Sequence, residues 1–175
     1  MDKSRANIVL IGMPGSGKST VGVILAKSAS LDFIDTDILI QRTAKKSLQE
    51  IVDIEGYLTL RRIEEEVLLK LSCHDHVIAT GGSAVYSQLA MAHLNKNGII
   101  IFLDVDLATL MSRIRDYETR GLAKRPGQTL EELFSERIAL YRRYADVTVN
   151  GSTITQEDVC EAITRKLKTR KIVLA

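Results

Sequence analysis

The stretch Ile8-Val9-Leu10-Ile11-Gly12-Met13-Pro14-Gly15-Ser16-Gly17-Lys18-Ser19-Thr20 decides how this chain folds. Its second part, G-M-P-G-S-G-K-S-T over residues 12–20, fills every fixed position of the pattern G-x-x-x-x-G-K-[ST]. Four apolar residues lead in, and residues 21–29, a good helix former, lead out. A strand that passes through a glycine-rich turn into a helix aims successive backbone N–H groups at the centre of the turn, and the helix adds its positive N-terminal end. Such a cradle holds the α- and β-phosphates of a nucleotide. Gly12, Gly15, Ser16, Gly17, Lys18, Ser19 and Thr20 are therefore read as nucleotide-binding. Lys18 would reach the β- and γ-phosphates, and the Ser19 hydroxyl would be a ligand of Mg²⁺. The competing reading is a glycine-rich strand-to-helix turn with no ligand.

Along the rest of the chain, short β-branched runs alternate with longer helical patterns. Strands are expected at Ile8 to Ile11, Asp32 to Ile34, Val77 to Ala79, Ile99 to Leu103 and Val147 to Val149. Helices are expected at Lys18 to Ala29, Ile38 to Thr43, Leu48 to Glu55, Leu58 to Leu71, Ser87 to Leu94, Leu107 to Ile114, Leu130 to Tyr144 and Gln156 to Lys168. Alternation of this kind means an α/β protein, a five-stranded parallel sheet sandwiched between helices as three layers, α/β/α. The strands are apolar throughout, which suits burial on both faces. Arg115 to Thr129 interrupts the helical pattern with charged residues, Gly121, Pro126 and Gly127, and reads as a mobile loop.

The 175 residues fit one domain spanning 1–175, long enough to bury a real core. Hydrophobic content of 45% and charged content of 26% are ordinary for a globular protein, and no apolar run approaches the ~20 residues that span a bilayer. No membrane partner is expected. The short polar start, Met1 to Asn7, carries no signal or transit pattern, so a cytoplasmic location is expected. Cys73 and Cys160 lie far apart without His or Cys at ligand spacing, which gives no support to a disulfide or zinc site. A net charge of +2 does not argue for nucleic acid.

Asp35-Thr36-Asp37 directly follows the second strand, at the carboxyl edge of the sheet where open α/β folds bind ligands. One carboxylate can help hold Mg²⁺ and the other can accept a proton from a hydroxyl attacking the γ-phosphate; alternatively, Asp and Thr here cap the next helix. Val77 to Gly82, V-I-A-T-G-G, brings a third strand into two glycines, which let backbone approach a ligand or simply make a tight turn. Arg61, with Glu64 and Glu65 one turn on, and Arg137, near Arg142 and Arg143, read either as surface charge ladders or as a bidentate grip on a carboxylate. Arg113, Arg115, Arg120, Lys124 and Arg125 make the stretch near the loop basic, as a lid that closes over phosphates or as a solvated loop.

In this order the motifs resemble those of the shikimate kinase family, small ATP-dependent enzymes with the P-loop NTPase fold of the nucleoside monophosphate kinase type. The resemblance runs from about Ile8 to Val149: G-M-P-G-S-G-K-S-T, D-T-D, the L-R-R-I-E-E-E around Arg61, T-G-G at 80–82, and K-R-P followed by E-R-x-x-x-Y. It implies transfer of the γ-phosphate of ATP to the 3-hydroxyl of shikimate, with Mg²⁺, a step of aromatic amino acid biosynthesis, by a protein expected to be a monomer. It implies catalytic roles for Lys18, Asp37 and Arg125, with Asp37 on the accepting hydroxyl and Arg125 on the phosphates. Arg61 and Arg137 would clamp the shikimate carboxylate, Gly81 and Gly82 would line the ring, Asp35 and Ser19 would organise Mg²⁺, and Arg113 would stack near adenine. A helical segment at about 37–71 would bind the substrate, and residues 115–129 would form the lid.

The chain departs from that family pattern at several points. Gly81-Gly82-Ser83 stands where three glycines are usual, R-P-G-Q stands for R-P-L-L in the lid, Val52 and Leu60 replace aromatic residues, and Tyr57 replaces a glutamate. None removes a phosphoryl-transfer group; all bear on pocket shape. Rival readings are a kinase of another hydroxy acid or polyol, a nucleoside monophosphate kinase, and an ATP-binding regulatory paralogue. Against a guanine-nucleotide switch, Asn95-Lys96-Asn97-Gly98 lacks the aspartate of N-K-x-D.

Overall fold

The computed structural model describes residues 7–114 and 121–169. Five parallel strands form one sheet in the order β2-β3-β1-β4-β5, with β1 at Asn7–Ile11, β2 at Asp32–Asp35, β3 at His76–Ala79, β4 at Gly98–Asp104 and β5 at Val147–Asn150. The helices are α1 (Lys18–Ala29), α2 (Thr36–Ala44), α3 (Leu48–Glu55), α4 (Tyr57–Lys70), α5 (Gln88–Lys96), α6 (Leu107–Arg113), α7 (Leu130–Tyr144) and α8 (Gln156–Thr169), with a short 3₁₀ turn at Ala84–Tyr86. The α/β reading holds element by element. Where the expected boundaries are met to the residue, local chemistry explains why. Capping boxes at Ser47 with Glu50 and at Thr129 with Glu132 fix the starts of α3 and α7.

Side chains alternate across β1, so Val9 and Ile11 enter one core layer and Ile8 and Leu10 the other. The first layer holds Phe102 stacked on Tyr141 with ring centroids 5.2 Å apart, and the second packs β1 and β4 on Val21 and Leu25 of α1 and Ile163 of α8. Burial on both faces holds for β1 and for most of β4 but fails at the sheet edges. Strand β5 alternates buried and exposed residues and β2 is only half-buried, because an edge strand has a neighbour on one side alone. A third cluster, Ile40, Ile51, Leu60, Val67 and Ala123, binds α2, α3 and α4 into a separate helical lobe above the carboxyl edge of β2 and β3. No helix among the described residues is long and apolar enough to cross a membrane.

Strand order positions the site. Because β3 and β4 flank β1 and β2 lies beyond β3, the chain after β1 leaves in one direction and after β3 returns past it. The carboxyl ends of β1, β2 and β3 therefore open side by side onto one crevice, the place where such sheets take ligands. The register aligns Asp35 with Ala79 and Leu10 with Ala79, so the ends of all three strands stop at one level.

Candidate active site

A cleft of about 550 Å³ opens there, reached by Lys18, Asp37, Glu64, Gly81, Arg113 and Arg137 from six different parts of the chain. Its donor end is the loop of residues 12–17. Gly17 caps α1 with φ 93°, a left-handed backbone that glycine adopts without strain, and it turns the first free N–H groups of the helix toward the cleft. Lys18 is buried, and its ammonium donates to the carbonyls of Gly12 (2.7 Å) and Met13 (2.9 Å). Burial lowers its pKa to about 8 against the pull of Asp37. Those two carbonyls keep the amine over the loop, where a phosphate would otherwise meet it. Ser19 and Thr20 are exposed at the mouth.

The Ser19 hydroxyl donates to Asp35 Oδ2 at 2.6 Å, and Asp35 Oδ1 accepts the Asp37 N–H at 3.0 Å. Asp35 thus caps α2 with one oxygen and meets the serine near the start of α1 with the other. A hydroxyl and a carboxylate in contact at a solvent-open loop are hard oxygen donors of the kind Mg²⁺ takes while keeping several waters, so these residues fit that ion. Among the described residues there is no cluster of His, Cys, Asp or Glu that could hold a metal by itself.

Asp37 is half-buried at the cleft wall, and burial raises its pKa, partly offset by Lys18. Opposite it, the Gly81 N–H donates to Thr36 Oγ1 at 3.1 Å, tying the ends of β2 and β3 together. A methyl group on Gly81 would collide with Glu64 Oε1 and stand 2.8 Å from Asp37 Oδ1, so glycine there keeps two carboxyl groups at the cleft surface. The Gly82 carbonyl accepts the Tyr141 hydroxyl at 2.7 Å from the core side.

Arg61 and Arg137 converge, and neither belongs to a surface ladder. The exposed i,i+4 pair on α4 is Arg62 with Glu66 at 2.7 Å, and Arg142 faces Asp104 at 3.8 Å. Arg137 is 1% exposed. Its guanidinium and that of Arg61 both donate to the Ala123 carbonyl, at 2.8 and 3.1 Å. Arg61 also lies over the Tyr86 ring at 3.5 Å, with Arg137 at 5.4 Å from the same ring. Two guanidiniums thus donate to one carbonyl oxygen, the kind of acceptor that a substrate carboxylate supplies; Arg137 lines the cleft and Arg61 does not.

Arg113 also lines the cleft and donates to the carbonyls of Gly151 (3.0 Å) and Ser152 (3.5 Å). Arg125 is placed differently from expectation. It pairs with Glu136 at 2.7 Å and lines a separate 240 Å³ pocket with Val52 and Tyr57 rather than the phosphate end, because Glu136 also gathers Tyr86 (2.5 Å) and Gln128 (2.9 Å). The described part of the expected lid is likewise docked: the Gly121 N–H donates to Gln49 Oε1 at 2.6 Å, and Ala123 packs in the helical lobe. Arg115 and Arg120, expected in the lid, lie outside the described residues.

Sequence spacing assigns Glu64 only a place in a charge ladder, yet it is 2% exposed and lines the cleft. Ser83 donates to its Oε2, and burial pushes its pKa up to about 7. Tyr86 is a further site residue that no sequence pattern marks, whereas Tyr141 is the tyrosine of the E-R-x-x-x-Y motif and Ser83 is signalled by its place in a glycine run.

The comparisons with known proteins agree with this geometry. The family model for shikimate kinase matches residues 14–168. A shikimate kinase of Sulfurihydrogenibium sp. is 34% identical over 165 residues, covering 94% of this chain and 99% of that protein. One from Caldanaerobacter subterraneus is 38% identical over 170 residues with the same coverage. The structure of shikimate kinase from Acinetobacter baumannii in complex with shikimate superposes with a TM-score of 0.88 at 30% identity, covering 97% of this chain and 96% of that one. A phosphate-cradling loop, facing carboxylates and a converging arginine pair on a five-stranded parallel sheet thus agree with the family match across nearly the whole length, and the chain belongs to the shikimate kinase family.

Proposed function

We propose that this protein transfers the γ-phosphoryl group of ATP to the 3-hydroxyl of shikimate, and that the residues described above divide that work. The observation that carries the reading is the convergence of two arginines on one acceptor oxygen, with Asp37, Arg137 and the phosphate loop lining a single cleft. A carboxylate-bearing ring held by Arg61 and Arg137 presents a hydroxyl to Asp37. Asp37 accepts the hydroxyl proton as the oxygen attacks phosphorus, and ADP leaves on the far side. Lys18 exchanges its two loop carbonyls for phosphate oxygens and stabilises the charge that moves to the β-phosphate. Ser19 and Asp35 would hold Mg²⁺, which when bound neutralises part of the charge on the β- and γ-phosphates. Arg113 supports the nucleotide end. Arg125 would reach phosphate only after leaving Glu136, as part of closure by residues 115–129.

Carboxylates at the acceptor end, Asp37 and Glu64, count against a nucleoside monophosphate as acceptor, since they would repel a second phosphate. ADP release measured with shikimate, quinate, gluconate, homoserine and nucleoside monophosphates, beside a blank without acceptor, tests the assignment. Turnover with shikimate alone or far above the others is expected. Asp37→Ala should abolish transfer while ATP still binds, and Arg61→Lys should raise the KM for shikimate at least tenfold by removing the two-pronged grip. Full activity in Asp37→Ala sinks the proposed base.

A further inference from the structure

Two cations close enough to share the Ala123 carbonyl repel each other, so something in the fold holds Arg61 and Arg137 together. The usual brace is a carboxylate, yet among the described residues neither arginine is in an ion pair. What they share is Tyr86. The Arg61 guanidinium lies over its ring, 3.5 Å from the centroid, and the Arg137 Nε–H donates to its hydroxyl at 3.4 Å. That hydroxyl in turn donates to Glu136 Oε1 at 2.5 Å. A phenol that donates to a carboxylate carries more negative charge on its oxygen and ring, which strengthens its hold on both cations. Tyr57 adds a second ring, 5.1 Å from Arg61. In the family pattern position 57 is a glutamate, and positions 52 and 60 are aromatic where this chain has Val52 and Leu60. Aromatic surface that the pattern places on α3 and at the cleft-lining position 60 is here gathered around Arg61 instead.

We infer that Tyr86, braced by Glu136, is the positioning residue of the arginine pair and sets its grip on the substrate carboxylate. This rests on the proposed function and extends it. Tyr86 ends the 3₁₀ turn that follows Gly81, Gly82 and Ser83, all three at the cleft, but it does not itself line the cleft. It therefore acts through Arg61 and Arg137. A carboxylate in its place would compete with the substrate carboxylate for the same N–H groups. A ring holds a guanidinium by its flat face and leaves the donors along its edge free. Arg61 Nε, a buried donor with no partner among the described residues, is one of them. The negative charge of Glu136 reaches the pair only through the phenol, which steadies both arginines without occupying the N–H groups that a substrate carboxylate needs.

Steady-state kinetics of Tyr86→Phe and Tyr86→Leu test this, with the methyl ester of shikimate as a competitor that offers no carboxylate. Tyr86 is half-buried, so both variants should fold. Losing the ring in Tyr86→Leu should raise the KM for shikimate about tenfold, with kcat within about threefold and the KM for ATP unchanged. Tyr86→Phe keeps the ring, loses only the hydroxyl, and should raise that KM about threefold. The inhibition constant of the ester should stay within about twofold of wild type in both. Tyr86→Leu joined to Arg61→Lys should fall within about twofold of Arg61→Lys alone, because both changes act on one grip. In the ligand-free protein the Arg61 Nε–H resonance, shielded by the ring beneath it, should move downfield in Tyr86→Leu and hold its place in Tyr86→Phe. An ester constant that rises in step with KM, single-variant losses that multiply, or an Arg61 resonance indifferent to the leucine overturns the assignment and leaves the kinase reading intact. A wild type inactive on shikimate but active on another acid in the panel overturns the acceptor instead. The Arg61 resonance, which needs no substrate, then decides the role of Tyr86.

Discussion

Replacing Glu64 by Gln should make the ligand-free protein more stable at pH 8 and change little at pH 5. Glu64 is buried, its pKa rises from an ordinary 4.5 to about 7, and burial is the leading cause. A carboxyl group whose pKa is raised on folding binds more protons folded than unfolded between those two values, so its contribution to stability is present below pH 4.5 and lost as pH climbs through 7. At about 1.4 kcal/mol per pH unit, the loss between pH 4.5 and pH 8 comes to about 3 kcal/mol. Glutamine has the same shape, never ionises, and offers an N–H toward Asp37, which stands close by on the Gly81 side. The attraction of Arg137 and Lys18 is already contained in that pKa, so the gain expected at pH 8 stays at about 3 kcal/mol. Urea unfolding of both proteins at pH 5 and pH 8 reads the difference as a shift in midpoint at constant slope. A gain of equal size at both pH values, or no gain at pH 8, refutes the view that an ionised, incompletely paired carboxylate is held in the cleft. The same variant should lose activity, since the group that destabilises the empty site lines the cleft beside Asp37 at Gly81.

Gly81→Ala should leave the sheet folded yet reduce kcat/KM by more than about a hundredfold, because the added methyl pushes Glu64 and Asp37 off the cleft surface; near-wild-type turnover in a folded variant would show that the two carboxylates have room to spare. ATP binding should weaken by about tenfold between pH 7 and pH 9 and take up a proton at the higher pH, since Lys18 loses its charge near pH 8 in the empty loop and regains it beside phosphate. Calorimetry in buffers of different ionisation enthalpy measures that uptake, and pH-independent binding argues that the phosphates do not meet Lys18.

The features legible without coordinates are those set by neighbouring residues in the chain. Apolar run, glycine turn and helix former at residues 8–29 specify β1, the loop and α1, because strand burial, φ > 0 at glycine and helix propensity are local properties. Asp35 and Asp37 are legible for the same reason, since residues at the carboxyl end of a parallel strand emerge at the sheet edge. Arg61 and Arg137 can be named only through family resemblance, and their spacing alone suits a surface ladder equally well. The structure chooses between these by burying Arg137 and bringing both guanidiniums to Ala123, more than a dozen residues from either. Arg125 shows the opposite case, where a residue named from its motif is drawn aside by Glu136 eleven positions later. Local sequence thus suffices for a parallel α/β fold, a phosphate cradle and the identity of the donor end. It takes the packed chain to bring Glu64 and Ser83, nineteen residues apart, together under Gly81 and to leave one carboxylate oxygen facing the acceptor end. Burial and charge pairing depend on which strands are neighbours in space, and a periodicity of 3.6 along α4 cannot report that.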